Sequence, residues 1–187
     1  MKKTENLFLA IALTFGLIFT LIIAPFHAES EPQHYYRSYQ ISEGKLIADK
    51  KITDCYGQQF ETYLPSTTCV GGMLPKSILT TAKTTEGIES RKNPKRKQNI
   101  QTIIALLNLP LDSNNRVFLR FPNISLFFPI THLPQAFGMA IGRLFNLSPL
   151  VLLYMGRICN LLVWLLLVYL AIKITPFYKW LLLLLAL

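Results

Sequence analysis

Charge is scarce in this 187-residue chain. Only 16% of its residues are Asp, Glu, Lys or Arg, and 51% are apolar. Soluble domains carry about 25% charged residues. Acids are scarcer than bases, 10 against 19, which leaves a formal net charge of +9. So little charge among so many apolar residues excludes a disordered or collagen-like chain and argues for membrane segments. Three cysteines are too few for a disulfide scaffold, and no Cys/His spacing resembles a zinc site. No P-loop, nucleophile elbow or Gly-rich dinucleotide turn is present.

What the chain does have is long uncharged runs. The first covers residues 7–26, from Leu7 to Phe26, after a short N-terminus (residues 1–6) that carries Lys2 and Lys3. Twenty residues is roughly the length that crosses a bilayer. A cleaved signal peptide has a shorter apolar region and a small-x-small cleavage site; Ala28 could sit at the cleavage point, but bulky Phe26 occupies the other position. The run therefore reads as an uncleaved signal anchor. The second span is expected over residues 149–172, opened by Ser148-Pro149 and interrupted only by Arg157. A turn at 173–179 leads to a third run from Trp180 to Leu187. Eight residues rise only about 12 Å, against a hydrocarbon core of about 30 Å, so the third span is expected to be truncated.

Between the first two spans lies a large loop, residues 27–148, which holds most of the charge. Lys2, Lys3, Lys173 and Lys179 fall on one side if both spans cross. The positive-inside rule makes that side cytoplasmic, and the loop extracytoplasmic. Residues 80–98 read as a flexible basic linker, with five basic residues between Arg91 and Lys97. This is either a solvated segment or a contact for anionic headgroups or envelope polymer. Nucleic acid is not expected as a partner.

The loop begins with a segment that has helix signals at both ends. Ser30 can cap free N–H groups with Gln33 reaching back, Pro32 suits the first turn, and Gly44 suits the left-handed residue past the end. Glu31, His34 and Ser38 then share a face with Arg37 beside it. A helix N-terminus near a membrane surface is a natural anion site. Glu31 is the candidate base, and His34 and Arg37 are candidate phosphate or substrate contacts. The plainer alternative is that Glu31 complements the helix dipole while His34 and Arg37 decorate a solvated face.

The run Glu31-Pro32-Gln33-His34-Tyr35-Tyr36-Arg37-Ser38-Tyr39-Gln40-Ile41-Ser42-Glu43-Gly44, directly after a first span, resembles the bacterial multi-spanning membrane-protein family called domain of unknown function 2142. So do Leu133-Pro134-Gln135-Ala136-Phe137-Gly138, Tyr154-Met155-Gly156-Arg157-Ile158-Cys159-Asn160 and Thr175-Pro176-Phe177-Tyr178-Lys179-Trp180, in the same order. The family is similar to the C-type glycosyltransferase superfamily. The resemblance implies further spans and a catalytic carboxylate at the start of the outer loop. It also implies a sugar donor carried on polyprenyl phosphate. It leaves a divalent metal open and requires no nucleotide cofactor. Members usually carry Pro-Asp-Glu-Pro where this chain has Glu29-Ser30-Glu31-Pro32. Ser30 thus replaces the Asp, and Glu29, one residue off, is the alternative catalytic acid. Deprotonating an acceptor hydroxyl needs a base, and the leaving phosphate needs positive charge.

Arg157 lies about 10 Å below the loop end of its span, with Asn160 one turn further on the same face. Arg157 either snorkels outwards or faces an interior cavity, where the pair would line the path of a lipid phosphate. Cys55 and Cys69 either form a disulfide or remain free thiols. No metal ligands are assigned. An amphipathic helix is expected over residues 132–145, with Leu133, Phe137, Ala140, Ile141 and Leu144 on one face. A short helix is expected over 103–111 and a strand over 117–128.

The fold class expected is an α-helical integral membrane protein with a mixed α+β extracytoplasmic loop. It would lie in the cell membrane, with the bilayer, lipid-linked sugar and envelope polymer as partners. Three functional readings follow: the N-terminal part of a membrane glycosyltransferase, a non-catalytic binder of lipid-linked or anionic polymer, and a truncated inactive gene product.

Overall fold

The computed structural model describes residues 4–28, 30–56, 63–85 and 99–187. Helices dominate, with one small three-stranded sheet. Among the described residues two helices are long and apolar enough to cross a membrane: α1 (Thr4–Ile22) and α7 (Pro149–Ile174). They pack side by side, Gly16 of α1 leaving room for Leu161 of α7. Phe8 meets Trp164 edge-on, with ring centroids 5.7 Å apart. Helix α7 is capped as its sequence suggests, the Ser148 hydroxyl accepting from the Val151 N–H at 3.4 Å. Helix α1 ends earlier than the apolar run. After Ile22 the chain turns at Pro25-Phe26, where Phe26 takes φ of 55° and is fully buried, edge-on to Tyr35. Hydrophobicity continues to Phe26, but Pro25 cannot continue the helix hydrogen bonding. Beyond α7 lies α8 (Lys179–Ala186), whose Leu183 joins a cluster with Phe8, Ala12, Leu165 and Ile172.

Helix α2 (Glu31–Ser42) sits at the centre of the loop. Tyr35 through Ile41 are all buried, which corrects the reading of a solvated face. Gly44 takes the expected left-handed backbone, φ 83°. The expected capping box does not form. Ser30 has helical rather than extended backbone, so its hydroxyl makes no cap bond.

The sheet comprises β1 (Asp49–Tyr56), β2 (Tyr63–Pro75) and β3 (Arg116–Arg120). The thirteen-residue β2 is shared. It runs antiparallel to β1 from Asp49↔Gly71 to Tyr56↔Tyr63, and antiparallel to β3 from Gly71↔Arg120 to Pro75↔Arg116. A bridge between Tyr56 and Leu119 closes the ring of three. Cys55 and Cys69 are joined by a disulfide, packed with Phe118 and Met73. Gly72 is where α2 lies on the sheet: a Cβ there would stand 2.7 Å from the Gln40 amide.

Three expected boundaries move. Thr80–Thr85, read as the start of the linker, close helix α3 (Lys76–Thr85), their hydroxyls bonding back to carbonyls one turn earlier. The basic run Arg91–Lys97 lies outside the described residues. The strand expected to reach residue 128 stops at Arg120, because Pro122 opens a short helix, α5 (Pro122–Ser125). The helix expected over 103–111 is α4 (Ile100–Ala105) followed by a single 3₁₀ turn, Leu106–Asn108.

Helix α6 (Leu133–Leu144) is preceded by a 3₁₀ turn, Pro129–His132. Its bulky apolar face is not the packed one: Leu133, Phe137 and Leu144 are exposed. The packed face is small, with Ala136, Gly138, Met139 and Gly142 against α7. A Cβ on Gly138 would come within 2.5 Å of the Met155 carbonyl oxygen, so only glycine permits this approach.

A cavity between the two long helices: the candidate functional site

Helix α2 meets the ends of α1 and α7 at the loop end of the helix pair, and three pairs of polar groups fix it there. The Tyr35 hydroxyl donates to the Pro149 carbonyl at 2.6 Å. The Ser38 hydroxyl donates to Gln135 Oε1 at 2.8 Å. Arg143 donates to the Ser42 carbonyl at 2.7 Å and stands 3.6 Å from Glu43, which also pairs with Arg116. These contacts orient the first turn of α2 toward α7.

That turn carries Glu31, and α7 carries Arg157. Glu31 Oε1 accepts from Arg157 Nε at 2.8 Å and from Nη2 at 2.5 Å. The rest of the guanidinium serves the end of α1. Nη1 donates to the Ile23 carbonyl at 2.9 Å, and Nη2 to the Ala24 carbonyl at 3.2 Å. Carbonyls past the last turn of a helix lack intrahelical donors and carry the negative end of its dipole, so a cation there is favoured. Arg157 thus ties α1, α2 and α7 together. It turns inward to this junction rather than simply snorkelling along its own helix.

Beside this pair is a cavity of about 1120 Å³. Its polar end is lined by Glu31, His34, His132, Gln135, Arg157 and Asn160. Further along the two long helices the lining is apolar, with Phe19, Leu161, Val163, Trp164 and Leu167. One hollow therefore offers charge and hydrogen bonds at one end and hydrocarbon-like walls at the other.

His34 and His132 meet inside it. Nδ1 of His34 lies 3.1 Å from Nε2 of His132, and the rings stack with centroids 5.3 Å apart. Burial lowers the His34 pKa, opposed by the carboxylate of Glu31. Burial lowers the His132 pKa to about 4, helped by repulsion from His34 and from Arg37 when they carry charge. Desolvation thus disfavours the charged form of both rings.

Four sequence candidates converge on the cavity: Glu31, His34, Arg157 and Asn160. Arg37 does not. It is 2% exposed, and its guanidinium donates to Gln40 Oε1 and to the Leu46 carbonyl, both at 2.6 Å. The turn after α2 folds over it, so the expectation of a phosphate contact at Arg37 is corrected: it braces α2, and burial lowers its pKa. Glu29 lies outside the described residues. Cys55 and Cys69 sit in the sheet, apart from this site. His132 and Gln135 are among the lining residues that sequence reasoning passed over. The signal was their position just before and inside the Leu133-Pro134-Gln135 run, ninety-odd residues from their partners on α2. Among the described residues no group of three or more His, Cys, Asp or Glu side chains is placed to hold a metal ion.

A family model described as "Predicted membrane protein (DUF2142)" matches residues 13–187, a stretch that includes every residue of the cavity. No curated protein and no solved structure matches the chain.

Proposed function

The chain belongs to the DUF2142 family of predicted membrane proteins, and from that footing we propose that its cavity holds the phosphate end of a lipid-linked sugar for glycosyl transfer to an acceptor hydroxyl. The observation that carries this reading is the two-ended lining. A polyprenyl phosphate has a charged head and a long apolar tail, and the cavity offers a partner for each. Arg157 and Asn160 face the phosphate, and Arg157 offsets the negative charge that grows on it as the sugar departs. Glu31 and His34 are the two proton acceptors at the same end. The loop faces away from the cytoplasm, a reading supported by Lys173 and Lys179 at the opposite ends of the spans.

Native mass spectrometry of the full chain in lipid nanodiscs tests the reading. The expected result is retention of polyprenyl phosphate in preference to the uncharged polyprenol. Arg157→Gln is expected to reduce retention at least tenfold. Equal retention of the alcohol and the phosphate would overturn the role given to Arg157. Transfer of labelled sugar from a polyprenyl-phosphate hexose to an envelope glycan tests the chemistry, and an intact chain with bound donor and no transfer would leave it a binding protein.

A further inference from the structure

We propose that His34, rather than Glu31, takes the proton from the acceptor hydroxyl, its Nε2 held as a bare lone pair by a hydrogen-bond chain running through His132 and Thr131. This rests on the reading of the cavity given above.

The chain of bonds begins at a group that can only accept. Thr131 Oγ1 is 2.9 Å from the Phe128 carbonyl oxygen and 2.9 Å from His132 Nδ1. The hydroxyl has one hydrogen. If it pointed at the histidine, two oxygens would face each other lone pair to lone pair at 2.9 Å. It therefore donates to Phe128, and Oγ1 accepts from His132 Nδ1–H. A neutral imidazole has a single N–H, so His132 Nε2 is bare. It accepts from His34 Nδ1–H across the 3.1 Å contact. His34 is consequently bare at Nε2. No described residue hydrogen-bonds that nitrogen, and His34 lines the cavity.

The other candidate is occupied. Glu31 Oε1 already accepts two N–H groups from Arg157, and protonating the carboxylate would weaken the junction of three helices. His34 can take a proton with no rearrangement. Its Nδ1–H goes on donating to His132, and Glu31, one turn away, offsets the new charge. The charged and titratable groups around the pair are Glu31 and Arg37 from α2, Arg157 from α7, and the exposed His27 from the segment after α1.

In the step itself the acceptor O–H bond breaks and its proton passes to His34 Nε2. The acceptor oxygen bonds to the anomeric carbon of the sugar. The bond from that carbon to the phosphate oxygen breaks, and its electron pair stays on the phosphate, beside Arg157. The imidazolium then releases its proton to water.

Nitrogen-15 NMR of histidine-labelled full chain in nanodiscs at pH 7.5 tests the tautomers directly, without any variant. The expected spectrum shows Nδ1–H on both His34 and His132. An Nε2–H signal on His34 overturns the proposal. With His132→Ala, His34 is expected to lose its fixed tautomer and give the mixed signals of a free imidazole. An unchanged His34 signal would remove His132 from the role of positioning residue and overturn the chain of bonds. Turnover supplies the second arm. His34→Gln is expected to retain bound polyprenyl phosphate and lose transfer about 100-fold or more. Wild-type turnover by that variant overturns the proposal alone. A wild-type chain that fails to hold polyprenyl phosphate overturns the cavity reading, and the proposal with it.

Discussion

The pair Glu31–Arg157 can be measured by a double-mutant cycle with Glu31→Gln and Arg157→Gln. Both side chains are largely covered, 20% and 15% exposed. With charge centres about 4 Å apart and an effective dielectric near 20, the attraction is about 4 kcal/mol. Desolvation and the ordering of two long side chains offset roughly half of it, leaving a coupling of about 2 kcal/mol. The singles should differ. Glu31→Gln breaks only the pair and should cost about 2–3 kcal/mol. Arg157→Gln also strips a charged donor from the Ile23 and Ala24 carbonyls, each worth about 0.5–1 kcal/mol, and should cost about 4 kcal/mol. The double variant should cost about 4–5 kcal/mol, less than the sum. Reversible urea unfolding in bicelles, followed by circular dichroism, gives all four free energies. Additivity within about 0.5 kcal/mol would refute the direct pairing. A larger cost for Glu31→Gln than for Arg157→Gln would refute the role of Arg157 at the end of α1.

Three further outcomes follow from the packing. Gly138→Ala should destabilise by about 1–3 kcal/mol, because its Cβ meets a backbone carbonyl. Gly142→Ala meets only the movable ends of Leu152 and Met155 and should cost less than 1 kcal/mol; thermal unfolding in detergent ranks them, and the reverse order would be inconsistent with this packing. Replacing Cys55 and Cys69 by serine should cost about 3 kcal/mol. Thiol labelling of the unfolded chain should count one thiol, Cys159, before reduction and three after. Stability should fall as pH drops from 6.5 toward 4. His132 titrates near 4 when folded and near 6.5 when unfolded, so within that window the unfolded chain binds more protons, and the contribution is complete above 6.5. The loss is roughly 2 kcal/mol after a discount for screening through the open cavity. A His132→Asn chain with the same acid sensitivity would contradict this.

The long helices were legible because their signal is local: twenty or more apolar residues need no partner to be recognised. Helix α2 was legible for a related reason, since Pro32 and Gly44 mark its ends through backbone geometry alone. The burial of α2 was not. Its sequence, with Glu31, Gln33, His34, Arg37 and Gln40, looks solvated. Its partners on β2, α6 and α7 exist only once the chain has folded. Strand β2 escaped notice because Pro65, Gly71 and Gly72 break the alternation that identifies strands; Pro65 falls at the register shift against β1, Gly71 where the partner strand changes, and Gly72 where α2 presses close. At the site, spacing along one helix joined Glu31 to His34, and the lone charge within the second apolar run drew attention to Arg157 and Asn160. His132 had no such local mark. Arg37 misled because a guanidinium beside a carboxylate at helix spacing reads as a surface cation, while the turn at Leu46 covers it.

The contacts that hold α2 also set a timetable. Its partners in the second half of the chain lie far away in sequence: 97 residues for Ser38 to Gln135, 114 for Tyr35 to Pro149 and 126 for Glu31 to Arg157. A ribosome adds about 5–20 residues per second, so Arg157 is made roughly 6–25 s after Glu31. For all or most of that interval Ser38, Tyr35 and Glu31 lack their partners Gln135, Pro149 and Arg157. The nascent loop must therefore be kept from misassembly until α7 arrives, and a slowed or paused translation between residues 42 and 149 should lower the yield of folded protein more than a pause placed before α2.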